Sequence, residues 1–172
     1  MQYNVSQLLK QPTGTTRQYP IEADISDLDP ELEVAAPLVG SIRLIRTAKG
    51  ILVTGGLHTE VWVNCRRCLE PFRIPVSITL EEEFRPTIDI NTGATLPLPD
   101  DDEEATRIDA HHTLDLREVV RQSILLALPP FPLCREDCKG LCPQCGANLN
   151  TETCNCESDS ADLPLSKLRE LL

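Results

Sequence analysis

Residues 134–156 read CREDCKGLCPQCGANLNTETCNC and hold six of the eight cysteines of a 172-residue chain. Structural zinc takes four ligands in a tetrahedron, so six thiols in one window leave two over. The other two, Cys65 and Cys68 of CRRC, stand far upstream. Two thiols spaced two or three residues apart supply half a tetrahedron. Cys154 and Cys156 close a natural ribbon with Cys142 and Cys145 of CPQCG, which leaves Cys65, Cys68, Cys134 and Cys138 as the other site, with no thiol left over. Zinc, two per chain, is the expected metal. The site that includes CRRC predicts a long-range staple that fastens the cysteine-rich tail, 131–172, to a hairpin at 65–68. In CPQCG the glycine after Cys145 lets backbone N–H groups face the sulfurs and relieve their charge. Cys154 and Cys156 are separated by one residue, which requires a bend at Asn155.

Disulfides and redox chemistry are the competing uses of cysteine. The opening MQYNVSQLLKQPTGTTRQYP lacks the basic flank and unbroken apolar run of a signal peptide, and no run of 18 apolar residues occurs. No membrane span and a cytoplasmic location are expected, and thiols there stay reduced. CRRC has an alternative reading as a redox-sensing dithiol, since Arg66 and Arg67 would lower a thiol pKa. Thioredoxin-like motifs, however, sit at a strand-to-helix junction, whereas CRRC follows one strand pattern and leads into another. With eight thiols available, His58, His111 and His112 are read as ordinary surface residues rather than ligands.

Strand patterns dominate the first half of the chain: RQYPIEADI, then ELEVAAPLVGSIRLIRTAKGILVTGGLHTEVWVNC, then EPFRIPVSITLEEEF. Alternation in SIRLIR and LHTEVWVN indicates strands with one wet face. Lys49-Gly50 reads as a hairpin turn and Gly55-Gly56 as a bulge or kink. NVSQLLKQ suggests a helical turn or two before Pro12. Residues 86–110 lack periodicity and read as an acidic loop. A helix over 115–128 follows, with Asp115 as N-cap, Glu118 completing a capping box and Pro129-Pro130 as the stop. Its apolar positions are Leu116, Val119, Val120, Ile124 and Ala127, with Leu125, Leu126 and Leu128 widening the face. A short terminal helix is expected from Asp162. The fold class is thus α+β: an antiparallel β-meander or partial barrel packed by one main helix over residues 1–130, with a C-terminal zinc-ribbon-like segment.

The formal net charge is −11, but it is concentrated. Residues 79–109 carry ten acids against Arg85 and Arg107, while residues 40–78 carry Arg43, Arg46, Lys49, Arg66, Arg67 and Arg73 against two acids. These six cations are the candidate RNA-binding residues, since a basic strand region can contact phosphates despite an acidic total. With one Trp, two Tyr and three Phe, little aromatic surface is available for stacking bases.

CRRCLEPF, the helix segment TLDLREVVRQSILLALPPFPLC, and CKGLCPQCGANLNTETCNC followed by DLPLSKLRELL closely resemble the bacterial YceD family, from about residue 34 to the end. The resemblance implies a part in accumulation or processing of large-subunit (23S) ribosomal RNA, hence in ribosome assembly. It supplies no catalytic residues. A non-catalytic assembly factor that binds rRNA or a basic large-subunit ribosomal protein is therefore expected, with no small-molecule substrate. An enzyme is disfavoured because catalytic zinc keeps an open position, whereas both four-thiol sites are closed. The acids Asp100 to Glu104 could also mimic phosphate toward a basic ribosomal protein.

Overall fold

The computed structural model describes residues 1–97 and 103–156. The chain divides into two compact units, Met1–Val63 with Arg73–Pro130, and Asn64–Phe72 with the segment from Phe131 onward. The helix expected from Asp162 and the acids Asp100 to Asp102 lie outside the described residues.

The larger unit is built on β1 (Gln2–Asn4), α1 (Ser6–Leu9), β2 (Thr16–Ala23), β3 (Val34–Arg46), β4 (Ile51–Asn64), β5 (Pro71–Pro86), a 3-10 turn (Glu104–Thr106), β6 (Arg107–Ile108), β7 (Thr113–Asp115) and α2 (Arg117–Ala127). The strands form one sheet in the order β1-β7-β6-β5-β4-β3-β2. The sheet is mixed rather than purely antiparallel, because β6 runs parallel to β5. The expected loop over 86–110 hides this short strand, whose two residues are too few to show any alternation. Tyr3 of β1 and Tyr19 of β2 stand on opposite edge strands, yet their ring centroids are 5.1 Å apart. The sheet therefore curls until its edges approach, as expected of a partial barrel.

The core follows from strand alternation. Leu38, Ile42 and Leu44 of β3, Ile51, Val53, Leu57 and Val61 of β4, and Val76, Ile78, Leu80 and Phe84 of β5 point to one face and are buried. Val119, Val120 and Ile124 of α2 join the same cluster, with a helical spacing that suits a sheet-packing face. Leu126 does not widen that face: it is 86% exposed.

Gly55-Gly56 forms no bulge. The β3–β4 register runs unbroken from Val39 opposite His58 to Arg46 opposite Ile51, and the irregularities lie earlier, between Val34 and Val39. There the hydroxyl of the buried Thr59 donates to the Ala36 carbonyl at 2.6 Å. Gly55 serves close approach instead, since a Cβ on it would lie 2.3 Å from the Ser41 carbonyl oxygen, whereas one on Gly56 would enter open space. The hairpin turn at 47–50 is as expected, closed by Thr47 N–H donating to the Gly50 carbonyl at 3.0 Å.

The expected capping box does not form: the N-cap is Leu116, which makes no side-chain cap, and Asp115 ends β7 one residue earlier. The Asp115 carboxylate accepts from the Arg117 N–H at 2.9 Å, but Glu118 turns away to take Arg121 and Gln122. Arg121 also donates to Asp29 at 2.9 Å, tying the helix to the loop after β2. The Arg121 guanidinium, with the Gln122 amide, holds the Glu118 carboxyl down to about 2.

Because that pKa is depressed in the folded state, its contribution is present above the unfolded value of about 4.3 and is lost as pH falls toward about 2. The stability gap between wild type and Glu118→Gln, followed by Trp62 fluorescence in urea, should be open at neutral pH and close across this acid window. In the same assay Gly55→Ala should cost about 1–3 kcal/mol, and Gly56→Ala less than about 0.5 kcal/mol.

Candidate metal centres

Both candidate centres lie in the smaller unit. The CRRC knuckle is a tight turn in which the Leu69 N–H donates to the Cys65 carbonyl at 2.9 Å and the Cys65 N–H to the Glu70 carbonyl at 3.0 Å. The CPQCG knuckle repeats the geometry, with the Gly146 N–H donating to the Cys142 carbonyl at 2.9 Å. The residue after the second cysteine is left-handed in both, with φ +60° at Leu69 and +75° at Gly146. Glycine adopts this conformation freely, and a branched residue does so under strain. Leu69 is also 63% exposed.

The tail is stitched to the first knuckle by backbone bonds. Arg66 N–H donates to the Pro132 carbonyl at 2.9 Å and Leu141 N–H to the Arg67 carbonyl at 3.1 Å. The Arg67 guanidinium donates to the Cys138 carbonyl at 2.9 Å. These bonds bring Cys65, Cys68, Cys134 and Cys138 together, while Cys142, Cys145, Cys154 and Cys156 form a second group, and within each group the sulfurs lie within 4.8 Å of one another. Among the described residues neither group includes a histidine. The Cys65 and Cys138 sulfurs are 3.8 Å apart and those of Cys68 and Cys134 are 3.7 Å apart. A tetrahedron with Zn–S bonds of about 2.3 Å has edges of about 3.8 Å. These two edges of the first group therefore match those of a zinc tetrahedron.

Burial would raise the Cys65 thiol, but the N–H groups of Cys134, Cys68 and Arg67 outweigh it and hold it at about 6. Cys142 is held at about 6 chiefly by the N–H groups of Cys145 and Gln144. The last thiols go the other way: Cys134 is pushed up to about 12 by burial and its neighbours, and Cys156 to about 12 by Cys145 above all. Each group thus readily holds a first thiolate and resists a full set, because like charges crowd together. A bound dication would remove that opposition.

One contributor shows no signature in the cysteine pattern. Asn150 donates from its amide nitrogen to the Cys138 sulfur at 3.4 Å and accepts the Lys139 N–H at 2.8 Å. Its place in the turn-rich stretch after CPQCG is the only hint that the sequence offers. The two groups differ in access: Cys65, Cys68 and Cys138 are buried and Cys134 is half-buried, while in the second group Cys142 is buried, Cys154 half-buried, and Cys145 and Cys156 exposed.

The six candidate RNA-binding cations are divided between the two units. Arg66 and Arg67 belong to the smaller unit and Arg43, Arg46, Lys49 and Arg73 to the larger. Arg46 is turned inward, donating to the Leu9 carbonyl at 3.2 Å, to the Gly50 carbonyl at 2.9 Å, and to Thr47. Arg73 pairs with Glu60 at 3.6 Å and lies over the Trp62 ring, 5.5 Å from its centroid. His58 is exposed on β4. His111 and His112 lie at the turn before β7, where the His112 Nδ1 is buried and has no hydrogen-bond partner among the described residues.

The YceD family pattern, described as large ribosomal RNA subunit accumulation protein YceD, matches residues 53–172, a span that contains all eight cysteines. The chain belongs to the YceD family. An uncharacterized protein of Mycobacterium tuberculosis is 35% identical over 131 residues, covering 76% of this chain and 60% of its own length. An uncharacterized Mycobacterium leprae protein is 30% identical over 121 residues, covering 70% of this chain and 53% of its own. An Arabidopsis thaliana protein, large ribosomal RNA subunit accumulation protein YCED homolog 1, chloroplastic, is 31% identical over 160 residues, covering 78% of this chain and 49% of its own. The chain thus spans about half to three fifths of the length of these relatives. No solved structure matches it. Among the described residues no helix is long and apolar enough to cross a membrane.

Metal analysis of the purified chain should find two zinc ions. Cys156→Ser should lose one, and a chelator should strip the exposed group before the buried one. Leu69→Gly, which relieves the left-handed strain, should stabilise the zinc-loaded smaller unit by about 1–2 kcal/mol, read as slower zinc release to a chromogenic chelator.

Proposed function

We propose that this YceD protein is a non-catalytic ribosome-assembly factor that supports accumulation of 23S ribosomal RNA in the cytoplasm, by holding the rRNA or a large-subunit ribosomal protein. The observation that carries this reading is the family match across residues 53–172, which takes in both halves of the Cys65, Cys68, Cys134 and Cys138 group. Cys65, Cys68, Cys134 and Cys138 would hold one zinc, and Cys142, Cys145, Cys154 and Cys156 a second. Bound there, zinc supplies cross-linking rather than Lewis-acid chemistry, since four thiolates leave no open position.

The alternative role of CRRC as a redox sensor is the weaker one. Cys65 is 0% exposed and Cys68 3%, and a sensing thiolate has to be reached by its oxidant.

Depleting the protein in its own cell should lower the 23S to 16S rRNA ratio while transcription of the shared precursor is unchanged. Wild type supplied in trans should restore the ratio, and a Cys65→Ser, Cys68→Ser double variant should not. An unchanged ratio on depletion would overturn the assignment.

A further inference from the structure

On the face of the sheet opposite the core, the ladder sets Gln18 beside Arg43 and Arg43 beside Thr54, and in the next row Pro20 beside Ser41 and Ser41 beside Gly56. Gly56 contributes no side chain to its row. The result is a hollow of about 170 Å³ lined by Gln18, Ser41, Arg43, Thr54 and the Gly55-Gly56 backbone. Among the described residues the side chains of Gln18, Ser41, Arg43 and Thr54 have no hydrogen-bond or ion-pair partner, unlike Arg46 of β3 and Arg73 of β5. One free guanidinium, two hydroxyls and an amide converge on the hollow, and no carboxylate lines it. That donor set complements a phosphodiester.

Further along β4 on the same face stands Trp62, 39% exposed and six residues from Gly56, about 20 Å along an extended strand. Arg73 holds the indole, 5.5 Å from its centroid. A held aromatic at one end of a strand and an anion-fitting hollow at the other are the two parts by which sheet surfaces take single strands.

We propose that this outer face of β3 and β4 holds single-stranded RNA, with one phosphate in the hollow over Gly56 and one base stacked on Trp62. The assignment rests on the rRNA reading above and names the surface that would carry it. A base already stacked in a duplex is not free to cover Trp62, so the occupant is single-stranded.

The test uses the zinc-loaded full chain and a labelled oligouridine about 12 nucleotides long, read by fluorescence anisotropy at several salt concentrations. Gly56→Val plugs the hollow, and because a Cβ there meets nothing within 4 Å the variant should fold as wild type does, checked for it and for Trp62→Ala by circular dichroism. Gly56→Val and Trp62→Ala should each weaken binding about tenfold or more. Arg43→Ala should weaken it and make the slope of log affinity against log salt shallower by about 0.7. Wild-type affinity in the folded Gly56→Val and Trp62→Ala variants would overturn the surface while leaving the accumulation role standing. Loss of a ribosomal-protein interaction in Gly56→Val, with no RNA bound by wild type, would overturn RNA as the occupant. Failure of the parent reading is separate, since it shows as an unchanged rRNA ratio on depletion whatever the oligonucleotide does.

Discussion

Four thiols brought within 4.8 Å of one another are what the smaller unit is organised around. Among the described residues its apolar cluster consists of Cys65, Cys68 and Cys138, with Phe72, Leu133, Cys134 and Leu141 packed against it. So small a cluster cannot offset the entropy of ordering the chain around it. Small units of this kind fold on a metal, whose binding energy replaces the missing core. The backbone bonds from Arg66 and Leu141 and the guanidinium of Arg67 place the sulfurs, and the crowding of their charges gives a cation something to offset.

The larger unit has an ordinary core and solves a different problem, that of curling a sheet of long strands. Strand β5 runs 16 residues and β4 runs 14. Bulges between Val34 and Val39 and the close crossing at Gly55 let β3 and β4 bend sharply. Arg46 then fastens the turn at 47–50 to the end of α1, and Arg121 joins α2 to Asp29. Two arginines that look from sequence like part of one basic surface, Arg46 and Arg43, thus have separate uses, because successive side chains of a strand are divided between its faces and its ends.

Much of the fold is legible in the sequence wherever a pattern repeats over enough residues. Strands β2 to β5 and helix α2 carry clear periodicity, and their cores follow from it. Strands β1, β6 and β7 have three, two and three residues, too few for a period, so the parallel pairing of β6 on β5 is a tertiary matter. Glu118 sits at capping-box spacing, yet a strong pair with Arg121 is available and draws it away. Gly55-Gly56 reads as a bulge because sequence shows that side chains are missing without showing what needs the room.

The sequence by itself determined the family and the division of eight cysteines into two groups of four, because four ligands complete a site and the ribbon of Cys142, Cys145, Cys154 and Cys156 leaves Cys134 and Cys138 for Cys65 and Cys68. Only the tertiary structure decided which group is buried and which is open, and which cations remain free after the fold has used the others. Those depend on distances between residues far apart in the chain, such as Arg67 with Cys138 or Gln18 with Arg43 and Thr54, and spacing along a sequence carries no measure of such distances.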